Sequence, residues 1–290
     1  MESLLHIIHE TLRERFNCKN IHCLTSASGG VLNQCLSFAT DKGKFFVKAN
    51  KENPVAMFAA EAAGLRSIIK TGTLKVPTPY FYGQKQGCSF LILEHLELLP
   101  HTAESQRQLG KQLAEMHLKK EATQFGYPID NTIGTTPQIN GWKENWVEFF
   151  ITNRLDYQLR LAETRYHDKE IRKSGEKFLK KFSDFFTDLT IFPSLLHGDL
   201  WNGNTAANGE GNPVVYDPAV YYGHHEADLG ILLMFGGFTS DFHQAYHENI
   251  PKQPGFEERQ LGYQLYHYLN HYNLFGDSYR PTCLSIIKKV

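Results

Sequence analysis

The chain has 290 residues, 41% of them hydrophobic, with 30 Lys and Arg against 31 Asp and Glu. That length is enough to bury a sizeable core in one large domain or two lobes. A formal net charge of −1 leaves no cationic excess for a nucleic acid or an anionic membrane surface, and neither is expected as a partner.

Met1 to Phe16 mixes Glu2, Glu10 and Glu14 with Leu4, Leu5, Ile7, Ile8 and Leu12, the pattern of an amphipathic helix rather than a secretory leader. Ser26-Ala27-Ser28-Gly29-Gly30 reads as a small-residue turn, followed by a strand from Val31 to Ala39. Thr40 to Gly43 turns the chain, and Lys44 to Ala49 returns as a second strand. A Gly-rich hairpin lets backbone N–H groups approach phosphates, which makes Gly29 and Gly30 candidate nucleotide contacts. It is not the P-loop of nucleotide triphosphatases, because G-x-x-x-x-G-K-[ST] is absent.

In the return strand Phe45, Val47 and Ala49 share one face, and Phe46 and Lys48 the other. Lys48 then lies beneath the turn, where it could reach the α- and β-phosphates of ATP; a solvent-facing edge Lys has the same pattern. Asn53-Pro54 opens a helix as N-cap and first-turn residue, running through Ala59 to Ala63 and stopping near Thr71-Gly72. Glu61 is the only acid in its body. A strand Lys followed by a helix Glu is the order of the kinase ion pair, although an exposed Glu on an Ala-rich helix would read alike. Tyr80-Phe81-Tyr82 and Ser89 to Leu93 form two further strands about a turn at Gln84 to Gly87. Glu94, His95 and Leu96 leave the second strand where an inter-lobe hinge should lie, with backbone groups available to an adenine edge. Residues 1–96 are thus expected to form a nucleotide-binding lobe and 97–290 a second lobe.

The second lobe reads as helical. Gln106 to Lys119 places Leu109, Leu113, Met116 and His117 at helical spacing, and helical patterns recur at Trp142 to Leu161, Asp168 to Phe186, Ala227 to Phe235 and from Glu257 onward. No apolar run approaches the ~20 residues that span a bilayer. The cysteines Cys18, Cys23, Cys35, Cys88 and Cys283 are scattered without a C-x-x-C pair, which suits a reduced, cytoplasmic setting. With no H-E-x-x-H present, His224-His225 and His267/His271 read as structural or substrate-facing rather than as zinc ligands.

The most specific signal lies between these helices. His197-Gly198-Asp199-Leu200-Trp201-Asn202-Gly203-Asn204 is followed by a hairpin (Thr205 to Ala207, a turn at Asn208 to Asn212, Val214 to Tyr216) and then Asp217. An Asp, an Asn five positions on, and a second Asp after one hairpin match the catalytic-loop and metal-binding order of protein kinases. The chemistry needs an acceptor for a hydroxyl proton, here Asp199, and oxygen ligands for magnesium, here Asn204 and Asp217. Trp201 could stack on a ring or amine substituent of the substrate, or cover the loop as a packed aromatic. His224 and Glu226 could bind hydroxyls or an ammonium group of the substrate, although a structural salt bridge would use the same Glu. Asp228 reads as a helix cap or a brace for the loop backbone, and Asn131 and Thr132 are candidates for the cleft wall. The fold expected is α+β and bilobal: a small antiparallel-sheet N-lobe with one main helix, and a larger, mostly helical C-lobe, as in protein kinases.

Longer stretches carry a family resemblance. Leu196 to Asn204, Tyr216-Asp217-Pro218-Ala219 and Tyr221 to Leu229 resemble the fructosamine kinases, or ketosamine 3-kinases, of the aminoglycoside-phosphotransferase-like group. So do Phe125-Gly126, Asp130 to Gln138, Trp146 to Phe150, Phe235 to Phe238 and Leu269 to Gly276. The resemblance implies ATP- and magnesium-dependent phosphorylation of the sugar 3-hydroxyl of ketosamines, such as fructosamine or ribulosamine, on small amines or protein lysines. The 3-phosphate is unstable, so the implied role is deglycation. Some relatives carry a Cys after the Gly-Gly, associated with a redox-sensitive dimer; Val31 stands there, and Cys35 lies four residues on, so no thiol switch is carried over. The preferred sugar, the size of the amine and the oligomeric state stay open. Alternatives are a related aminoglycoside, choline or homoserine kinase, or a nucleotide-binding scaffold without turnover.

Overall fold

The computed structural model describes residues 2–27, 33–51 and 54–290. Gly29, Gly30, Val31 and the proposed N-cap Asn53 lie outside the described residues. An N-terminal helix α1 (Glu2–Phe16) precedes five strands, β1 (Ile21–Ala27), β2 (Gln34–Thr40), β3 (Gly43–Asn50), β4 (Pro79–Lys85) and β5 (Cys88–Glu94). They form one sheet in the order β1-β2-β3-β5-β4, every neighbour antiparallel. Helix α2 (Val55–Thr71) connects β3 to β4, with Pro54 in extended conformation before it and Gly72 (φ 68°) closing it.

Alternation along β3 divides the sheet's two faces as the sequence predicts. Phe45, Val47 and Ala49 pack with Leu36, Phe38, Phe90 and Ile92 beneath Leu4, Ile7, Ile8 and Leu12 of α1. Each of those four α1 side chains contributes about 1.5–3 kcal/mol on burial, which is what holds a short terminal helix in place. Leu91, Leu93 and Phe46 face the opposite way, into a larger core shared with Phe58, Ala62, Leu65 and Ile68 of α2 and with the rest of the chain.

The remainder is mostly helical: α3 (Ala103–His117), α4 (Trp146–Phe150), α5 (Asp156–Tyr166), α6 (Lys169–Phe182), α7 (Leu232–Phe235), α8 (Ser240–Asn249), α9 (Phe256–Phe275) and α10 (Arg280–Ile287). Three antiparallel pairs interrupt them: β6 (Asn131–Ile133) with β7 (Thr136–Gln138), β8 (Ser194–Leu196) with β11 (Tyr221–Gly223), and β9 (Thr205–Ala207) with β10 (Pro213–Val215). Among the described residues, no helix is long and apolar enough to cross a membrane.

Several boundaries differ from the sequence reading. Trp142 to Asn145 stays outside the helix because the Asn145 side chain caps α4, accepting from Glu148 N–H. Asp168 caps α6 in the same way through Ile171 N–H. The C-terminal helical stretch breaks at Gly276, whose φ of 85° no helix accommodates. Strand β1 and helix α8 have no counterpart in the sequence reading. β1 pairs with β2, and its mixed sequence, without strict alternation, left it unread. In α8 the buried residues are Phe242, Ala245 and Tyr246, a helical spacing the sequence reading passed over because it spans little more than one turn.

Candidate active site

The chain between β8 and β9 is zipped to the segment that follows β10. Ala219 N–H donates to His197 O (2.8 Å) and Tyr216 N–H to Asn204 O (3.0 Å). Gly198 adopts φ 81°, and a Cβ there would sit 2.0 Å from Ala219 O, so only glycine lets the two strands of chain approach this closely. Asp228 braces the same loop from below. Its carboxylate accepts from His197 N–H and Gly198 N–H, both at 2.7 Å, and faces His117 Nε2 at 3.1 Å. Burial works against its charge, but His117 and the loop amides hold its carboxyl below the usual range. The brace expected of Asp228 is therefore what the geometry contains.

His197 is itself buried and kept neutral by desolvation. Its Nε2 lies 3.0 Å from Tyr216 O, which fixes the proton there and leaves Nδ1 to accept from Asp199 N–H at 3.3 Å. The Asp199 carboxylate is thereby presented to a cavity of ≈590 Å³ whose walls include Lys48, Glu61, Asn204, Asp217, Trp201, Asn131 and Thr132. Asn204 Nδ2 donates to Asp199 O (2.8 Å) and to Asp199 Oδ2 (3.1 Å). Burial, with the charge of Asp217 added, pushes the Asp199 carboxyl up to about 7, and the bond from Asn204 opposes that rise.

Across the cavity, Lys48 Nζ donates to Glu61 Oε1 (2.6 Å) and to Asp217 Oδ1. Lys48 is buried, and the two carboxylates outweigh desolvation to hold its amine above the ordinary range. Their meeting depends on one small residue of α2. A Cβ on Gly64 would fall 2.9 Å from Val220 Cγ2, so the glycine lets α2 lie against the chain three residues past Asp217 and brings Glu61 within reach. Asp217 adopts φ 57°, a left-handed conformation that costs energy in a non-glycine residue and often accompanies functional constraint.

Magnesium is a hard cation that takes oxygen donors. Asn204 spends its amide N–H groups on Asp199, and its side-chain carbonyl has no hydrogen-bond partner among the described residues. The Asp217 carboxylate is half exposed to the cavity. The donor set fits such an ion.

A model of the fructosamine kinase family matches residues 2–290. The chain belongs to the fructosamine kinase family. It is 44% identical over 282 residues to the chloroplastic protein-ribulosamine 3-kinase of Arabidopsis thaliana, spanning 97% of this chain and 86% of that one. It is 41% identical over 308 aligned positions to the ketosamine-3-kinase of Mus musculus, spanning 97% and 99%. A crystal structure from Thermobifida fusca, assigned as a fructosamine-3-kinase, superposes with a TM-score of 0.85 at 30% identity over 96% of both chains. An aminoglycoside phosphotransferase shares the kinase-like fold, with a TM-score of 0.64 at 15% identity over 97% of both chains. This family member is accordingly a phosphotransferase acting on a hydroxyl group.

Two candidate substrate residues of this chain are corrected by the coordinates. His224 and Glu226 are buried behind β11 and do not line the cavity. Both oxygens of Glu226 are held by Arg259, at 2.7 and 2.8 Å. His224 Nδ1 meets Tyr263 Oη at 2.8 Å, and burial depresses the imidazole well below its ordinary range. The structural salt bridge is the alternative realised for Glu226. Asn131 does line the cavity, but its amide is spent: Nδ2 donates to Val220 O (2.8 Å), and Oδ1 accepts from Gln138 (2.7 Å) and Asn140 (3.2 Å). Thr132 lines the wall beside it.

At the hinge, Glu94 is likewise committed. Its carboxylate binds Lys75 (2.8 Å) and Thr78 (2.9 Å), which together outweigh desolvation and hold it below the usual carboxylate range. Its own N–H donates to Thr78 O. Backbone groups of His95 and Leu96 are what remain for a ligand. The Trp201 ring packs over Gly203, where a Cβ would lie 2.1 Å away, and it also lines the cavity. The sequence reading gave no role to Phe235, Leu274, Phe275 and Tyr279, which complete the far wall with His271. Residues 271, 275 and 279 recur at helical spacing, the available signal, but a core-facing stripe has the same period.

Proposed function

We propose that this chain transfers the γ-phosphoryl group of ATP to the 3-hydroxyl of ketosamines, fructosamine or ribulosamine, carried by small amines or by glycated protein lysines. The observation that carries this reading is the convergence of Asp199, Asn204, Asp217 and the Lys48–Glu61 pair on one cavity in a member of this family. Asp199 orients the acceptor hydroxyl and takes its proton. Phosphoryl transfer has a loose transition state, so alignment outweighs basicity, and fixing the reactants together is worth about 7–11 kcal/mol. Asn204 and Asp217 would hold magnesium, which neutralises charge on the β- and γ-phosphates. Lys48, held by Glu61, meets the α- and β-phosphates, and the backbone at Glu94 to Leu96 pairs with the adenine, with the His95 and Leu96 groups its direct partners. Residues 1–96 and 97–290 act as the two lobes that close on the nucleotide. The buried thiols of Cys18, Cys88 and Cys283 suit a reducing, cytoplasmic compartment.

The test is incubation with magnesium–ATP and fructosyl-lysine or ribulosyl-lysine, with coupled ADP detection and NMR location of the new phosphate. ADP released with a phosphate on C3 is expected. Release of ADP with neither ketosamine, or a phosphate at another carbon, would overturn the assignment.

A further inference from the structure

The left-handed backbone of Asp217 persists only if its surroundings over-determine it. Before it, Tyr216 N–H is fixed to Asn204 O, and after it Ala219 N–H to His197 O. Two more contacts lie just downstream. Gln138 Nε2 donates to Ala219 O (3.0 Å), and Asn131 Nδ2 donates to Val220 O (2.8 Å). Asn131 and Gln138 are cross-strand partners in the β6–β7 pair. One short hairpin therefore grips two consecutive carbonyls of the segment that carries the metal-ligand carboxylate.

The direction of every bond in this grip is forced from its two ends. At one end stands Arg154, fully buried and without a carboxylate partner among the described residues. Its guanidinium lies 4.8 Å from the Phe149 ring centre and 4.2 Å from that of Tyr221. A guanidinium only donates, so the Asn140 oxygen faces Arg154 Nη2 (2.6 Å), and Asn140 Nδ2 turns to Asn131 Oδ1 (3.2 Å). Gln138 Nε2 donates to the same oxygen at 2.7 Å, while Tyr266 Oη of α9 donates to Gln138 Oε1 at 2.7 Å. At the other end are the Ala219 and Val220 carbonyls, which only accept. Reversing any one amide would set donor against donor or acceptor against acceptor.

We propose that Gln138 and Asn131 are positioning residues for Asp217, their amides fastening the Ala219 and Val220 carbonyls so that the strained Asp217 keeps its carboxylate toward the cavity. The inference rests on the metal reading of Asp217 above and deepens it. Apolar packing alone would not serve. Val220 lies against Gly64 of α2, but such contact is non-directional, whereas hydrogen bonds to two carbonyls fix how the peptide planes after Asp217 are turned. Asn131, expected to meet substrate from the cleft wall, thus acts through the backbone next to the metal ligand. The buried charge of Arg154, which the chemistry does not use, orients the chain of amides that does this.

The test reads metal binding without turnover. Mn2+, which shares magnesium's preference for oxygen donors, is titrated by EPR in the presence of a non-hydrolysable ATP analogue, at a temperature where each variant is folded. Gln138→Met keeps the side chain's length but removes its donor, and should weaken Mn2+ binding by about 5- to 30-fold. Affinity for the analogue in EDTA should stay within about twofold. The magnesium concentration for half-maximal turnover should rise with the Mn2+ constant. Tyr266→Phe, which removes only the hydroxyl that orients the amide, should weaken Mn2+ binding by about two- to fivefold, and it carries the test if Gln138→Met does not fold. A purely structural role would lower the melting temperature and leave the metal affinity of folded molecules unchanged, which would overturn the proposal. So would an equal loss of analogue binding with and without metal. Wild-type protein that binds no Mn2+ beside the analogue would instead overturn the metal reading of Asn204 and Asp217.

Discussion

Two polar clusters lie close together in the sequence and behave in opposite ways. Asp199, Asn204 and Asp217 open onto a cavity with acceptor oxygens left over: the Asn204 carbonyl has no partner among the described residues, and the Asp217 carboxylate is half exposed. His224 and Glu226, a few residues further on, are buried and already partnered, Glu226 by Arg259 and His224 by Tyr263. Both clusters contain carboxylates; what differs is their hydrogen-bond saturation. A saturated buried cluster specifies the fold, and an unsaturated one at a cavity is available to a ligand.

That contrast can be broken most easily at Asp217. Asp217→Asn keeps the size and tolerates the left-handed backbone but removes the charge facing Lys48. Magnesium-dependent turnover should fall at least about a hundredfold with little change in melting temperature, and a smaller loss is expected for Asn204→Ala. Full turnover in Asp217→Asn would remove it from the metal site.

Asp228 tests the boundary between the clusters, because it is buried yet holds the reactive loop. Asp228→Ala strands two loop amides and His117. The expected cost is about 3 kcal/mol or more, or roughly 6–12 °C in melting temperature for a chain of this size. At temperatures where the variant is folded, kcat should fall while the KM for ATP holds. A variant that melts as wild type would refute the brace.

Acid pH sharpens the buried side of the comparison. Burial depresses His225 and His267 to about 3, and His224 well below its ordinary value. Between pH 6.5 and about 3 the unfolded chain binds protons on these rings that the folded chain refuses, so stability falls as pH falls through that window. At pH 5.5 His225 and His267 together cost about 3 kcal/mol, and His224 adds to the loss in the same direction. Thermal melts should therefore drop by roughly 10 °C from pH 7.5 to 5.5, and a His225→Asn/His267→Asn variant should show a shallower slope. A flat profile would contradict neutral burial.

The smallest effect is expected at Trp201. Trp201→Leu removes ring contacts worth about 0.5–1.5 kcal/mol, which corresponds to a rise in ketosamine KM of roughly two- to tenfold with ATP kinetics unchanged. An unaltered KM would leave Trp201 with its packing over Gly203 alone.

What the sequence made legible follows the same division. The reactive loop was readable because its chemistry needs particular side chains at fixed offsets within one short stretch, residues 197–217. The alternation of Phe45 to Ala49 was readable because a strand buried on one face has period two. His224 and Glu226 were misjudged because proximity along the chain to Asp217 says nothing about direction: after Gly223 the chain turns inward through the short helical turn His225–Leu229. The ring wall was missed because Phe235, His271 and Tyr279 come from segments that only the tertiary fold brings together.

The most direct measurement sets turnover beside thermal melting in two variants, Asp199→Asn and Arg259→Leu. Asp199→Asn should lose about 10²- to 10⁴-fold in kcat while melting as wild type and still binding magnesium–ATP. Arg259→Leu, which leaves Glu226 buried and unpaired, should lose about 3–5 kcal/mol of stability while its folded molecules turn over normally. The reverse result, an unstable but active Asp199→Asn beside a stable but inactive Arg259→Leu, would place the chemistry in the wrong cluster.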